Sequence, residues 1–259
     1  MEMGIAGKRA LVTASSKGLG RGCAAALAAE GVNLVLNARG ADALELAADG
    51  IRLDYGVEVV TVPADITTEA GQAAVLEKAG EPDILVTNAG GPPPGLWSDW
   101  DRGDFIAALD ANLLAPIALM QACLPAMMAQ GWGRVVNITS MAVKSPSPVL
   151  GLSNTARTGL TGFVAGTARQ VAGAGVTINN LLPGYHATDR IVALDQNAAE
   201  RQGVDVAQVQ ADRFDEIPAG RYGTAEEFGA ACAFLCSVHA GYFVGQNILV
   251  DGGAIRATF

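Results

Sequence analysis

The sequence is poor in positive charge. It holds 17 Lys and Arg residues against 26 Asp and Glu residues, which gives a formal net charge of −9, and the basic residues form no run. A protein that binds nucleic acid or an anionic membrane needs a basic surface to attract the phosphates. We therefore expect neither nucleic acid nor a membrane as a partner, and a small-molecule ligand fits the composition better.

Cysteine is also scarce. The four cysteines are far apart or, for the last pair, four residues apart on a predicted helix: Cys23, Cys123, Cys232 and Cys236. They have no His or Cys neighbours at the spacing of metal ligands. We expect them to be buried apolar residues, with neither a disulfide framework nor a bound metal.

Targeting signals are missing from the sequence pattern. The first ten residues contain Glu2, Lys8 and Arg9 and lead into a strand-like run, which fits neither a secretory signal nor a transit peptide. We find no apolar stretch that is long enough to span a bilayer. The cytoplasm is therefore the expected location.

The length and composition predict one packed domain over 1–259, because the chain has 259 residues and 50% of them are hydrophobic.

Short runs rich in Val, Ile and Leu alternate with Ala-rich stretches of helical length, which is typical of repeated βαβ units. The predicted strands are 9–13, 33–37, 57–62, 84–87, 134–138, 177–181 and 247–250. The predicted helices are 19–30, 41–52, 68–78, 104–130, 152–171 and 225–236. This order predicts an α/β fold, a doubly wound seven-stranded parallel sheet with helices on both faces.

One segment interrupts this alternation. Residues 186–216 are polar and too long for a simple connection. We interpret the segment as a substrate lid, because long connections in compact domains often carry function; a surface insertion without function is the alternative.

The turn after the first strand has the composition of a phosphate-binding loop. It reads Thr13-Ala14-Ser15-Ser16-Lys17-Gly18-Leu19-Gly20 and leads into an Ala-rich helix. Gly18 and Gly20 leave room for a pyrophosphate at the helix N-terminus, whose free N–H groups favour negative charge. Two glycines alone would fit a tight structural turn equally well.

Further motifs follow in order, and together they resemble the short-chain dehydrogenase/reductase family over the whole chain. The loop at 13–20 resembles the family's TGxxxGxG loop, although Ala14 stands where the first glycine usually is. The other matches are Asp65-Ile66, Asn88-Ala89-Gly90, Asn112, Ser140, Pro183-Gly184 with Thr188, and the tail from Gly245 to Gly253. The resemblance implies a Rossmann fold and a nicotinamide dinucleotide as cofactor.

The end of the second strand indicates which dinucleotide is preferred. An NAD site usually has an acidic residue there, whereas this chain has Asn37-Ala38-Arg39. Arg39 and Lys17 could bind the 2′-phosphate of NADP(H); two solvated surface charges are the alternative. The expected cofactor contacts are Thr13, Ser15, Ser16, Lys17, Gly18, Leu19, Gly20, Arg39, Asp65, Ile66, Asn88, Ala89, Gly90, Arg157, Pro183, Gly184 and Thr188.

The catalytic pair of the family is replaced in this chain. In the family, a tyrosine and a lysine lie thirteen and seventeen residues after the catalytic serine, and these offsets from Ser140 reach Ser153 and Arg157. A carbonyl that accepts a hydride needs an acid to protonate its oxygen. Serine is a far weaker and shorter acid than tyrosine, and arginine keeps its proton. The expected catalytic positions are Asn112, Ser140, Ser153, Arg157 and Tyr185.

Three interpretations stay open. The first is an NADP(H)-dependent oxidoreductase, similar to 3-oxoacyl-[acyl-carrier-protein] reductases, that acts on a carbonyl or secondary alcohol with Tyr185 or His186 as the proton donor. The second is a non-catalytic or weakly active dinucleotide-binding protein. The third is non-redox chemistry like that of halohydrin dehalogenases, which carry an arginine at the lysine position but keep the tyrosine. The resemblance also implies a homo-oligomer, a tetramer or dimer, that packs through helices 104–130 and 152–171.

Overall fold

The computed structural model describes residues 2–257. Within them, the chain forms one sheet of seven strands: β1 (Arg9–Val12), β2 (Asn33–Ala38), β3 (Val59–Pro63), β4 (Ile84–Thr87), β5 (Gly133–Ile138), β6 (Val176–Pro183) and β7 (Asn247–Val250). Each predicted strand is present, with ends that differ by two residues or fewer. The predicted domain range 1–259 also includes residues 1, 258 and 259, which lie outside this description.

All strand pairs are parallel, and the strand order is β3-β2-β1-β4-β5-β6-β7. The order reverses direction between β1 and β4, where the chain crosses from one half of the sheet to the other. In doubly wound sheets, ligands bind in the crevice at this switch point, outside the carboxyl ends of the strands. The predicted fold class is confirmed, and its topology places the loop after β1 beside the loop after β4.

Nine α-helices connect and flank the strands in the described residues. They are α1 (Gly18–Ala29), α2 (Ala41–Tyr55), α3 (Glu69–Ala79), α4 (Arg102–Leu109), α5 (Ala115–Ala129), α6 (Gly151–Val171), α7 (Asp189–Gln202), α8 (Val206–Glu216) and α9 (Ala225–Cys236). The predicted helix over 104–130 is present as one helical stretch, Arg102–Ala129. The sequence did not predict the π-helical turn within it, Asp110–Leu114, which separates α4 from α5 and carries Asn112.

The predicted lid segment, 186–216, contains two helices that the sequence pattern did not predict, α7 and α8. Their sequences are rich in charge and bury few residues, Ile191, Asp195 and Ala199 on α7 and Val209 on α8. Because the segment is mostly polar, no helix was predicted there, although the buried residues of α7 are spaced four apart, as on one face of a helix.

The core has two halves, one on each face of the sheet. α1, α2 and α9 cover one face through residues such as Leu27, Leu44 and Phe228. α3, α5 and α6 cover the other face through residues such as Leu119 and Leu160. All four cysteines are free and buried, as predicted.

One expectation about membranes needs correction. By length and composition, the helical stretch Arg102–Ala129 is long and apolar enough to cross a membrane. In this fold, one face of the stretch packs against the sheet through Leu119, Met120 and Met127. The high hydropathy of the stretch is therefore explained in part by the apolar residues with which it packs in the core.

Candidate active site

A cleft of about 790 Å³ lies at the switch point of the sheet. It is lined by the loops after β1, β2, β3 and β4 on one side, and by β5, α6, the loop after β6 and the start of α7 on the other. Most of the predicted site residues line it: Ser16, Lys17, Gly18, Leu19, Arg39, Asp65, Ile66, Asn88, Ala89, Gly90, Ser140, Ser153, Arg157, Pro183, Gly184, Tyr185 and Thr188.

Four predicted site residues are not among the residues that line the cleft. The Thr13 hydroxyl is bound to the backbone N and O of Asn88, at 2.8 Å each, and so joins the loops after β1 and β4. The Ser15 hydroxyl donates to the carbonyl of Asn37. A Cβ at Gly20 would lie 2.3 Å from the Ala14 oxygen, so only glycine fits there. These residues shape the loop from behind.

The fourth is Asn112, which lies buried on the π-helical turn. Its amide nitrogen donates to Ala108 O at 3.3 Å and lies 3.5 Å from Gly90 O. Its Oδ1 is buried without a hydrogen-bond partner among the described residues. A buried acceptor of this kind is normally satisfied, and a water is a common partner.

Ala14 is the only described residue other than glycine with a positive φ, at 46°. In the family that the sequence resembles, this position usually holds glycine. Its carbonyl accepts a hydrogen bond from the side chain of Asn88 at 3.2 Å, which helps to hold the loop in this conformation. The loop therefore keeps the glycine-type backbone at some cost in strain.

At the end of β2, the cleft wall contains Arg39, whose side chain is exposed. Hydrogen bonds from Thr67 lower the pKa of the neighbouring Asp65, and the positive charge of Arg39 lowers it further. Lys17 is also exposed, but its Nζ lies 2.8 Å from Oδ2 of Asp189 in an ion pair. Of the two cations at this end of the cleft, Lys17 is therefore paired, and Arg39 has no ion pair with any residue that the structure describes.

At the opposite end of the cleft, α6 presents Ser153 and Arg157 one turn apart on the same face, each 7% exposed. The Ser140 hydroxyl accepts from the backbone of Ala142 at the start of a short 3₁₀ turn. The structure therefore brings together the three residues that the serine, tyrosine and lysine offsets predicted.

The Arg157 guanidinium is hydrogen-bonded to backbone carbonyls at the carboxyl ends of β5 and β4. Nη1 donates to the carbonyls of Ile138 at 2.7 Å and Thr139 at 2.9 Å, and Nη2 lies 3.5 Å from Ala89 O. Burial and, to a smaller extent, the charge of Arg190 lower the pKa of Arg157 to about 10. Arg157 still carries its proton at neutral pH, so it cannot relay one.

Tyr185 and His186 follow β6 and both line the cleft. Burial raises the pKa of Tyr185, although Arg213, whose guanidinium carbon lies 5.0 Å from the ring centroid, opposes this. His186 is buried, packs edge-on against Phe228 and has Nδ1 3.3 Å from Gly184 O. Burial lowers the pKa of His186, so its ring is neutral at pH 7.

Sequence reasoning missed several lining residues, among them Asp189, Arg190, Ile191 and Leu194 of α7. Arg190 lies over Gly91 and donates from Nη2 to Pro92 O at 2.7 Å. Because Arg190 follows the predicted cofactor contact Thr188 by two residues, the sequence could have indicated it as a further residue of the site. No group of three or more potential metal ligands occurs in the residues that the structure describes.

Comparison with known proteins agrees with this geometry. Residues 13–254 match the family described as Enoyl-(Acyl carrier protein) reductase. The chain is 34% identical to the 3-oxoacyl-[acyl-carrier-protein] reductase FabG of Escherichia coli strain K12, over 97% of this chain and 98% of the relative. It is 33% identical to the D-beta-hydroxybutyrate dehydrogenase of Cupriavidus necator, over 95% of this chain and 97% of the relative.

The fold is also similar to that of a solved structure. L-sorbose reductase from Gluconobacter frateurii, complexed with NADPH and L-sorbose, superimposes with a TM-score of 0.94 at 30% identity. The match covers 99% of this chain and 100% of that structure. The family match, the relatives and the shared architecture all span nearly the whole chain, so this protein belongs to the short-chain dehydrogenase/reductase family of oxidoreductases.

Proposed function

We propose that this chain is an NADP(H)-binding oxidoreductase that acts on the carbonyl or secondary alcohol of a small molecule, with an atypical active site. The observation that carries the proposal is the single cleft that joins the glycine loop, Gly18 included, to Ser140, Ser153 and Arg157. When bound, NADP(H) supplies or accepts the hydride. The similar L-sorbose reductase is complexed with NADPH, and the exposed Arg39 suits the extra phosphate.

The residues at the reactive end suggest how the carbonyl is polarised and protonated. The Ser140 hydroxyl can donate to the substrate oxygen, as a fixed dipole aimed at the developing charge. Tyr185 is our proposed proton donor, because it lines the cleft directly after β6 and the nearby charge of Arg213 opposes the rise in its pKa that burial causes. His186 fits less well, since its ring packs against Phe228 and its Nδ1 lies 3.3 Å from the carbonyl oxygen of Gly184.

A second candidate is a non-catalytic or weakly active dinucleotide-binding protein. Arg157 favours this second candidate. Both N–H groups of its Nη1 donate to the carbonyls of Ile138 and Thr139, which gives the side chain a structural role. Non-redox chemistry of the halohydrin-dehalogenase kind is less well supported, because the glycine loop keeps the backbone shape that a dinucleotide needs.

Two further properties belong to the proposal. We propose that the protein is cytoplasmic and forms a homo-oligomer. We also propose that 186–216 acts as a lid, since the residues of α7 that face the cleft lie beside the loop that holds Pro92. A lid at this position would exclude water from the reactive end.

The test begins with NADPH titration and then measures turnover on a panel of activated ketones and 3-oxoacyl thioesters. If Tyr185 is the donor, the wild type turns over and Tyr185→Phe slows it by about a hundredfold or more. The double variant Ser153→Tyr/Arg157→Lys should then crowd the site and slow the reaction. If the wild type lacks only its acid, the same double variant should be faster than the wild type instead.

The two results have opposite signs, so one experiment separates them. His186→Ala serves as the matched comparison for Tyr185→Phe and should have the smaller effect. If the wild type and the double variant both bind NADPH but turn over nothing, the oxidoreductase proposal is wrong and the dinucleotide-binding protein remains.

A further inference from the structure

Two arginines lie at the same end of the cleft and come from different helices. Arg157 is on α6 and is almost fully buried; Arg190 is on the first turn of α7 and is exposed. Both line the cleft. Their charges are close enough that Arg190 lowers the pKa of Arg157.

Neither arginine has a carboxylate partner among the described residues. Within residues 2–257, the ion pairs closer than 4.0 Å involve other cations: Lys8, Lys17, Arg52, Arg213 and Arg221. Asp189, which precedes Arg190 in the chain, is paired with Lys17. The hydrogen bonds of Arg157 and Arg190 go to neutral backbone carbonyls, including Pro92 O.

An unpaired buried cation is unfavourable, because burial removes its hydration and nothing replaces the lost charge interaction. Burial lowers the pKa of Arg157, as expected for a buried cation without a counter-charge. This buried cation and a second, exposed cation at the same end of a ligand cleft are explained most simply by an anionic ligand. Arg190 uses one N–H on Pro92 and keeps four for that ligand.

We propose that Arg190, supported by the charge of Arg157, binds the carboxylate of an oxo-acid or hydroxy-acid substrate beside the reacting carbon. The proposal rests on the proposed function, since it names the substrate class of the same site. Arg157 lies one turn from Ser153 on α6, which places the pair at the reactive end. The guanidinium fork suits a carboxylate, which can accept two parallel hydrogen bonds.

The cofactor pyrophosphate is the other possible source of an oxyanion. The glycine loop and the N-terminus of α1 at Gly18 already offer backbone donors for a pyrophosphate. Arg190 instead contacts Gly91 and Pro92 in the loop after β4, and Arg157 contacts the same loop at Ala89. We therefore assign Arg190 to the substrate, and the experiment compares the two sources directly.

The test measures binding to the NADP⁺-loaded protein, where no hydride is available and a ketone cannot be reduced. The probes are 2-oxobutanoate, 4-oxopentanoate and 5-oxohexanoate, each titrated against its own uncharged amide by calorimetry. We expect at least one acid to bind tenfold or more tightly than its amide. In Arg190→Met this preference should fall below threefold, and Arg190→Lys should restore part of it.

Arg39→Met is the matched control, because it removes a cation from the other end of the same cleft. It should weaken NADP⁺ binding and leave the preference for the acid intact once the protein is saturated. Thermal melts of every variant check that it is folded. Equal binding of all three acids and their amides to the wild type overturns the proposal, as does a preference that survives Arg190→Met.

If Arg190→Met weakens NADP⁺ binding while the wild type shows no acid preference, Arg190 binds the pyrophosphate and the proposal is wrong. If the wild type binds no dinucleotide at all, it is the proposed function that fails. The acid and amide titrations without dinucleotide then decide on the anion site by themselves.

Discussion

At the scale of single residues, Ala14 shows how the loop tolerates a departure from the family pattern. Its φ of 46° lies in the left-handed region, which costs an L-residue about 1–2 kcal/mol. Glycine would remove this strain but would lose about 0.5–1 kcal/mol in unfolded-state entropy. We predict that Ala14→Gly raises the free energy of unfolding by roughly 0.5–1 kcal/mol, measured by urea denaturation.

Ala25→Gly is the control, since Ala25 lies in the interior of α1, where glycine has no strain to relieve. That variant should lower stability by about 1 kcal/mol. If Ala14→Gly also lowers stability, the loop is not strained at this position and another contact of the methyl group matters more.

Arg39 carries the prediction on cofactor choice. The wild type should bind NADPH at least tenfold more tightly than NADH, about 1.4 kcal/mol, because we propose that the exposed guanidinium binds the 2′-phosphate, which NADH lacks. Arg39→Ala should remove the preference and leave NADH binding unchanged. Fluorescence titration with both reduced cofactors measures this.

Lys17→Ala is the matched variant for Arg39→Ala. Because Lys17 is paired with Asp189, its contribution to the 2′-phosphate should be the smaller of the two. Equal affinities of the wild type for NADPH and NADH would contradict the assignment, and so would an Arg39→Ala variant that loses nothing.

At the scale of elements, the strands followed from the sequence, but parts of the helical structure did not. Runs such as Ile84–Thr87 are fully buried and mostly apolar, so their composition and length predict a strand with little help from the rest of the fold. The π-helical turn at Asp110–Leu114 adds one residue to a helix without changing its composition. No pattern of apolar residues reports such a turn.

The same distinction explains which parts of the site were predictable. The glycine loop, Ser140 and Arg157 belong to short sequence motifs, which the sequence alone can identify. The Asp195 cluster cannot, because its members come from α7, α8 and the loop before α9: Gln210, Arg213 and Tyr222 all bind the buried Asp195 carboxylate. Only the packing of these elements brings the cluster together beside Tyr185.

The Asp195 cluster joins α7 to α8, the two helices of the proposed lid. Asp195→Asn keeps the shape of the side chain but leaves Arg213 without its counter-charge. Because breaking a buried ion pair is costly, we predict that the free energy of opening of α7 and α8 falls by roughly 3 kcal/mol. Hydrogen exchange of α7 and α8 amides measures this locally.

Asp212→Asn is the control, since Asp212 is exposed on α8 and accepts only from Gln208. It should leave the exchange rates nearly unchanged. In the wild type, NADPH should slow the exchange of 186–216 if the segment closes over the cofactor. Protection that is already high without ligand and unchanged by NADPH would make the segment a fixed wall of the cleft.

At the scale of the whole molecule, the outer face of α6 is unusually flat for an exposed helix. Thr158, Gly162, Ala165 and Gly166 are exposed and spaced at three or four residues, which puts them on one side of the helix. A Cβ added at Gly162 or Gly166 would meet nothing within 4 Å. Small residues on one helix face allow a second helix to approach closely, as the homo-oligomer proposal requires.

We predict that the wild type is a dimer or tetramer and that Gly162→Arg shifts it to a smaller species. A long charged side chain on both copies would separate the helices and bring like charges together, so association should weaken by at least tenfold. Sedimentation over a range of concentrations measures the shift. Ala29→Arg, on the exposed end of α1, adds the same charge elsewhere and should leave the assembly intact. A wild type that sediments as a monomer at all concentrations would show that this face of α6 is simply solvated.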